Sequence, residues 1–152
     1  VAIGLLGLAA MNLHGMQGNN GALLRTQASF IANDIATRMR VNKLAMDNNI
    51  YAGANYNGAC AAQVRPNCIN CNSKQMAQLD IADFVCAIET ELPNANNTSI
   101  TCADIDINDA NPCTTGSPHT ISLSWAESLN VPNADTLADA NQVSTISMVV
   151  RP

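Results

Sequence analysis

The sequence predicts an α+β fold, in which a long N-terminal helix packs on a small antiparallel sheet and a second helix lies in the connecting region. Two kinds of hydrophobic periodicity support this prediction. In two segments before Pro93, apolar residues recur every three or four positions, which is the spacing of one helix face. After Pro93 they alternate with polar residues, which is the spacing of a half-buried strand. A chain of 152 residues is long enough for one domain with a moderate core.

The first helix is predicted to extend from the N-terminus to about Asn48, with Asn42 interrupting its pattern. At 1.5 Å per residue, such a helix is about 70 Å long, which is more than a domain of this size can bury. We therefore expect residues 1–23 to form a projecting hydrophobic half of the helix and residues 24–152 to form the globular domain. The stripe that faces the domain is Leu24, Ala28, Ile31, Ile35 and Met39.

The first eleven residues carry no charge, yet they are too short to span a bilayer, which needs roughly 20 apolar residues. The chain opens inside a hydrophobic stretch, so we expect a preceding part to complete a membrane segment. The alternative from composition alone is a buried core helix. In the first interpretation, the apolar side chains of the projecting half dock against other helices, and the candidates are Leu5, Leu6, Leu8 and Leu13.

The second helix is predicted from the apolar spacing between Ile81 and Leu92, and Pro93 ends it. Asn72 and Gln75 form a candidate capping box at its start, and Ser73 is the alternative cap. Three strands are predicted at residues 99–108, 119–127 and 143–151, as in an antiparallel meander. The side chains expected to face the first helix are Ile121, Leu123, Trp125, Ile146 and Met148.

The composition argues against an enzyme and against a nucleic-acid-binding protein. Charged residues make up 12% of the chain, which is about half the usual share. The chain has seven Lys and Arg against twelve Asp and Glu, which excludes general electrostatic binding to nucleic acid. The two histidines, His14 and His119, are far apart in sequence and are expected at the surface. We expect no catalytic residue and no cofactor.

Six cysteines lie between Cys60 and Cys113, and their even number predicts three disulfides in an oxidising compartment. Six reduced thiols in a cytosolic protein are the alternative. Spacing cannot select among the fifteen possible connectivities. The turn at Asn111 and Pro112 favours a bond between Cys102 and Cys113. The other two bonds are expected to be local, most simply Cys60 with Cys71 and Cys68 with Cys86.

Two further motifs suggest chemistry but fit it poorly. Cys68 and Cys71 form a CxxC motif, which in a redox enzyme lies at a helix N-terminus after a strand, and no strand precedes it here. Asp104 and Asp106 resemble the start of a calcium loop, but Thr115 stands where the final glutamate is required. The favoured interpretation of the second motif is a strand with its aspartates in solvent.

The N-terminal segment Ala-Ile-Gly-Leu-Leu-Gly-Leu-Ala-Ala, followed by Arg25, Gln27 and then Ile-Ala-Thr-Arg-Met-Arg at 35–40, resembles the N-terminal helix of type IV minor pilins. Met-Ala-Gln-Leu-Asp-Ile-Ala-Asp-Phe at 76–84 and Ile-Ser-Leu-Ser-Trp at 121–125 resemble the pilus modification, or V-type, minor pilins. The prepilin cleavage site and the acidic residue after it are not among these residues. No cysteine follows Cys113 to staple a C-terminal loop.

The resemblance implies a non-enzymatic structural subunit with a pilin fold. It implies anchoring in the bacterial inner membrane facing the periplasm, followed by incorporation into a pilus at the cell surface. The implied partners are other minor pilins and the major pilin, contacted through the N-terminal helix. The implied roles are pilus assembly or priming and pilus-dependent adhesion, twitching or DNA uptake. The alternatives are a minor pseudopilin of type II secretion and, from another class, a secreted thiol oxidoreductase that uses Cys68 and Cys71.

Overall fold

A long helix, two shorter helices and a three-stranded antiparallel sheet make up the computed structural model, which describes residues 2–54, 56–128 and 141–152. The predicted α+β fold is confirmed. A short 3₁₀ helix, Cys60–Ala62, lies in the connection that precedes the third helix. The elements are α1 (Ala2–Val41), α2 (Lys43–Asp47), α3 (Ser73–Glu91), β1 (Asn96–Cys102), β2 (His119–Ser128) and β3 (Asn141–Val150).

The first helix is interrupted at Asn42, whereas the sequence predicted one helix to about Asn48. The Asn42 side chain donates to the Ser73 carbonyl oxygen at 2.8 Å and accepts from the Ser73 hydroxyl at 2.6 Å. These two bonds tie the end of α1 to the start of α3. The chain then makes the single turn of α2 before it leaves the helix. Tertiary hydrogen bonds therefore set the boundary, and helical periodicity alone does not reveal them.

Helix α3, which the sequence predicted as the second helix, begins and ends as predicted. The Asn72 side chain accepts from the Gln75 backbone N–H, and the Gln75 side chain accepts from the Asn72 N–H, which completes a capping box. The helix ends at Glu91, because Leu92 is extended and Pro93 cannot continue the helix.

Strand β2 lies at the centre of the sheet, between β1 and β3. It pairs with β3 without a register shift from His119 opposite Val150 to Ser128 opposite Asn141. The first strand ends at Cys102, so the prediction of a strand to residue 108 is wrong. Ile105 and Ile107 alternate in sequence like strand residues, but they are 63% and 85% exposed.

The core lies between α1, α3 and the inner face of the sheet. On α1, Leu24, Ala28, Ile35 and Met39 are buried, and Ile31 is partly buried. On the sheet, Ile121, Leu123 and Trp125 are fully buried. Ile146 and Met148 are partly buried and pack against the same cluster.

Candidate functional site

Helix α1 carries a second apolar stripe on the side that faces away from the core. Met16, Leu23, Phe30 and Val41 are 73%, 55%, 71% and 85% exposed. At about 100° per residue, these four positions fall within about 40° of one another around the helix. They lie roughly opposite the buried stripe. We call Met16, Leu23, Phe30 and Val41 the outer stripe.

Several polar side chains on the exposed part of α1 hydrogen-bond to the helix itself. Each donates to the backbone carbonyl one turn earlier, at 2.8–2.9 Å. Side chains bonded in this way can be covered by another surface without losing a partner. The bonds run from Thr26 to Ala22, from Ser29 to Arg25, from Asn33 to Ser29 and from Thr37 to Asn33.

Contact between α1 and the sheet reaches as far as Gly21. A Cβ at this position would lie 3.3 Å from Glu127 Oε2, at the end of β2. Arg25 Nε lies 3.5 Å from the buried Glu127 Oε1. Towards the N-terminus, the described side chains from Met11 to Asn20 are all exposed. The predicted docking residues lie outside the described side chains, and they are Leu5, Leu6, Leu8 and Leu13.

Within the described residues, no helix is both long enough and apolar enough to cross a membrane.

A charged cluster fixes α1 against α3. Arg38 Nη1 lies 3.2 Å from carboxylate oxygens of both Asp80 and Asp83, and Arg38 Nε donates to Asp34 at 2.9 Å. The Tyr51 hydroxyl donates to the buried carboxylate of Asp80 at 2.7 Å. Burial by itself would lower the pKa of Arg38, but the carboxylates of Asp80 and Asp34 outweigh it and the pKa is raised. The guanidinium therefore stays charged and holds the two helices in register.

The connection between α2 and α3 packs two tyrosines onto α3. Burial raises the pKa of Tyr51, and the hydrogen bond to Asp80 raises it further. Burial also raises the pKa of Tyr56, whose ring meets that of Phe84 edge-on with centroids 5.6 Å apart. Both phenols therefore stay protonated at neutral pH and act as hydrogen-bond donors.

All six cysteines form disulfides, in a pairing that differs in part from the prediction. Cys102 and Cys113 are joined, as the turn between them favours. The other two expected bonds, Cys60 with Cys71 and Cys68 with Cys86, are wrong. The structure joins Cys60 to Cys86 and Cys68 to Cys71.

The position of Cys86 within α3 explains the correction. Cys71 directly precedes the cap of α3, and Cys86 lies about 20 Å further along the helix axis. The 3₁₀ helix that begins at Cys60 packs beside Cys86, with the two Cα atoms 4.6 Å apart. Cys60 therefore cannot also reach Cys71, and Cys68 has Cys71 as its neighbour, at a Cα separation of 5.0 Å.

His119 is buried, although the sequence suggested a surface position. It is 1% exposed, with Nε2 lying 3.7 Å from Cys113 Sγ and Nδ1 lying 3.2 Å from the Ser117 carbonyl oxygen. Burial lowers the pKa of His119, and the Ser117 carbonyl only partly opposes this effect. The side chain of His14 lies outside the described side chains.

Among the described residues, one group of three could offer ligand atoms to a metal ion, and these atoms lie within 4.8 Å of one another. The group consists of Cys102, Cys113 and His119. Its two sulfur atoms are bonded to each other. A disulfide sulfur is not the thiolate that a metal requires. In the oxidised protein this group therefore packs around the disulfide and lacks the donor set of a metal site.

The aspartates after β1 organise the loop that leads to β2. Asp104 Oδ1 accepts from the backbone N–H groups of Asp106 and Thr114 at 3.2 and 3.0 Å. The hydrogen bond from Thr114 is the main cause of the lowered pKa of Asp104. Asp106 Oδ1 in turn accepts from the Asn108 N–H at 3.1 Å. The segment is therefore a series of side-chain-capped turns instead of the expected strand.

One comparison with known proteins, against family models, found a match. Residues 10–82 match the family model named Tt1218-like and described as Type IV pilin Tt1218. The match includes most of α1, all of α2 and the first half of α3. No curated protein and no solved structure matches the chain. The family match does not confirm the V-type subfamily. The match and the fold together support the identification of this chain as a type IV pilin.

Proposed function

We propose that this chain is a minor subunit of a type IV pilus and that the exposed faces of α1 join it to neighbouring pilins. Pilins are structural proteins of a surface filament, and a pilin associates with other pilus components. In this proposal, the partners of the chain are other minor pilins and the major pilin. Before assembly the chain resides in the inner membrane. It then takes part in pilus assembly or priming, which supports adhesion, twitching or DNA uptake.

The outer stripe is the observation that carries the proposal. Burying one such large apolar side chain is favourable by about 1.5–3 kcal/mol. Met16, Leu23 and Phe30 follow one another at intervals of seven residues, which is the repeat that keeps a helix seam facing a partner helix. A helix with one face on its own domain and an apolar line opposite is suited to contact with a second helix.

Two further properties of α1 favour close helix contact. Gly15 and Gly18 have no atom within 4 Å of the position that a Cβ would occupy, so another helix can approach the backbone there. The polar side chains bonded to preceding carbonyls keep those bonds when this surface is covered. The same properties are compatible with lipid before assembly and with other helices afterwards.

The contact is tested by a charge in the outer stripe. The variant Phe30→Asp should fold normally, because Phe30 is exposed, but it should be depleted from sheared and purified pili. Ile107→Asp is the matched control, since it adds the same charge at a loop position that is 85% exposed. Circular dichroism checks that both variants fold. Incorporation of Phe30→Asp at the level of the control would refute the contact.

The minor-pilin role is tested by deleting the gene. We expect fewer surface pili, while the cellular amount of major pilin stays unchanged. Loss of protein secretion with normal pili would instead identify the chain as a pseudopilin. Unchanged pili and unchanged secretion would contradict both roles.

A further inference from the structure

We propose that the Cys68–Cys71 disulfide is a thiol-exchange site, which a partner protein reduces in its dithiol form and reoxidises in its disulfide form, while the other two disulfides are structural. This inference does not rest on the proposed pilus function. It follows from what each bond connects, from the access to Cys68 and Cys71, and from the position of Cys71 relative to α3.

The three disulfides hold different parts of the fold together. Cys60–Cys86 ties the 3₁₀ helix to α3 across 26 positions, and Arg65 Nη2 lies 3.2 Å from Cys86 Sγ. Cys102–Cys113 closes the loop after β1, and Cys113 is fully buried.

Cys68–Cys71, in contrast, spans three positions of one loop and connects no two elements. Its two cysteines sit just outside α3, whose first turn is already held by the Asn72 and Gln75 capping box. The fold therefore does not need this bond to position the helix. A disulfide between close neighbours in one loop can open with little change elsewhere.

An attacking thiol can approach the pair. Cys68 and Cys71 are half-buried, and both residues between them are exposed, Ile69 to 85%. Accessible disulfides of this kind are the ones that exchange readily.

The position of the pair relative to α3 determines which of the two sulfur atoms is attacked. Cys71 directly precedes the N-cap of a 19-residue helix, and Lys74 is exposed in the first turn. The partial positive charge of that terminus stabilises a thiolate at Cys71 more than one at Cys68. Since a stabilised thiolate is the better leaving group, attack falls on the sulfur of Cys68.

The exchange balances as a two-electron reduction. A thiolate of the partner dithiol attacks Cys68 Sγ, the bond to Cys71 Sγ breaks, and its electron pair leaves with Cys71. The second partner thiolate then attacks the partner sulfur of the mixed disulfide and releases Cys68 as a thiolate. The pair gains two electrons and two protons, while the partner becomes a disulfide. The reverse reaction restores the bond.

The first test titrates the folded, oxidised chain with increasing concentrations of dithiothreitol, followed by acid quenching, alkylation and mass spectrometry of the peptides. We expect Cys68 and Cys71 to be alkylated together at reductant concentrations at least tenfold below those that open the other two bonds. Simultaneous opening of all three bonds, or opening of Cys68–Cys71 last, would overturn the proposal.

The second test identifies the attacked sulfur. Thioredoxin with its resolving cysteine changed to serine serves as the probe and is mixed with the oxidised chain. We expect a mixed disulfide that maps to Cys68, and none with the double variant C68S/C71S. A mixed disulfide that maps to Cys60, Cys86, Cys102 or Cys113 would contradict the proposal, and so would the absence of any adduct.

Discussion

Replacing Ile35 by Ala tests the packing of α1 on the sheet. Ile35 is fully buried on the inner face of the helix. The substitution removes three carbon groups, worth about 0.8 kcal/mol each in transfer free energy, and leaves a cavity whose cost is added. We therefore expect the free energy of unfolding to fall by about 3–4 kcal/mol. Urea denaturation of the purified protein, followed by circular dichroism, measures this value.

Phe30→Ala is the control on the opposite face of the same helix. Phe30 is 71% exposed, so the loss of a larger side chain should change the stability of the isolated protein by less than about 0.5 kcal/mol. Equal destabilisation by the two variants, or a larger effect of Phe30→Ala, would refute the assignment of the inner and outer faces of α1.

Two further predictions concern the disulfides and His119. The disulfides close loops of 26 and 3 positions, so removing Cys60–Cys86 should cost about 3.5 kcal/mol of stability and removing Cys68–Cys71 about 1.6 kcal/mol. Urea denaturation of the variants C60S/C86S and C68S/C71S measures both losses. A larger loss in C68S/C71S than in C60S/C86S would contradict the assigned roles. Because burial lowers the pKa of His119, the unfolded chain binds a proton at mildly acidic pH that the folded chain does not bind. The free energy of unfolding should therefore fall as the pH drops through about 6.5, by at most about 1.4 kcal/mol between pH 7.5 and 5.5. His119→Gln should abolish that contribution, and an identical pH dependence in the variant would exclude it.

Features that depend on periodicity could be predicted from the sequence. Side chains repeat every 3.6 residues in a helix and every two in a strand, and these repeats reveal the buried stripe of α1 and the alternation in β2. The capping box of Asn72 and Gln75 is equally local, since both residues lie within one turn. These patterns were sufficient for the α+β fold and for the inner face of the sheet.

Features that depend on distant partners could not be predicted. The break at Asn42 requires hydrogen bonds to Ser73, which is 31 positions away. The end of β1 was missed because Ile105 and Ile107 imitate a strand pattern, while the Asp104 carboxylate binds backbone N–H groups and turns the chain. The disulfide pairing depends on where the 3₁₀ helix packs along α3.

The outer stripe also left a signal in the sequence. Met16, Leu23 and Phe30 are spaced by seven residues, and this spacing is visible without a structure. Their exposure, however, follows only from knowing which side of α1 packs on the sheet. The burial of His119 also left a signal, because His119 alternates with Ile121 and Leu123 and therefore shares their inner face of β2.

The most direct test of the central claim is photo-crosslinking within assembled pili. A photoreactive amino acid at Leu23 places the probe in the outer stripe, and the same amino acid at Ile107 places it in the exposed loop after β1. After irradiation of sheared pili, we expect Leu23 to crosslink efficiently to another pilin and Ile107 to crosslink weakly. Crosslinking at Leu23 that does not exceed crosslinking at Ile107 would contradict the claim that α1 joins this subunit to the filament.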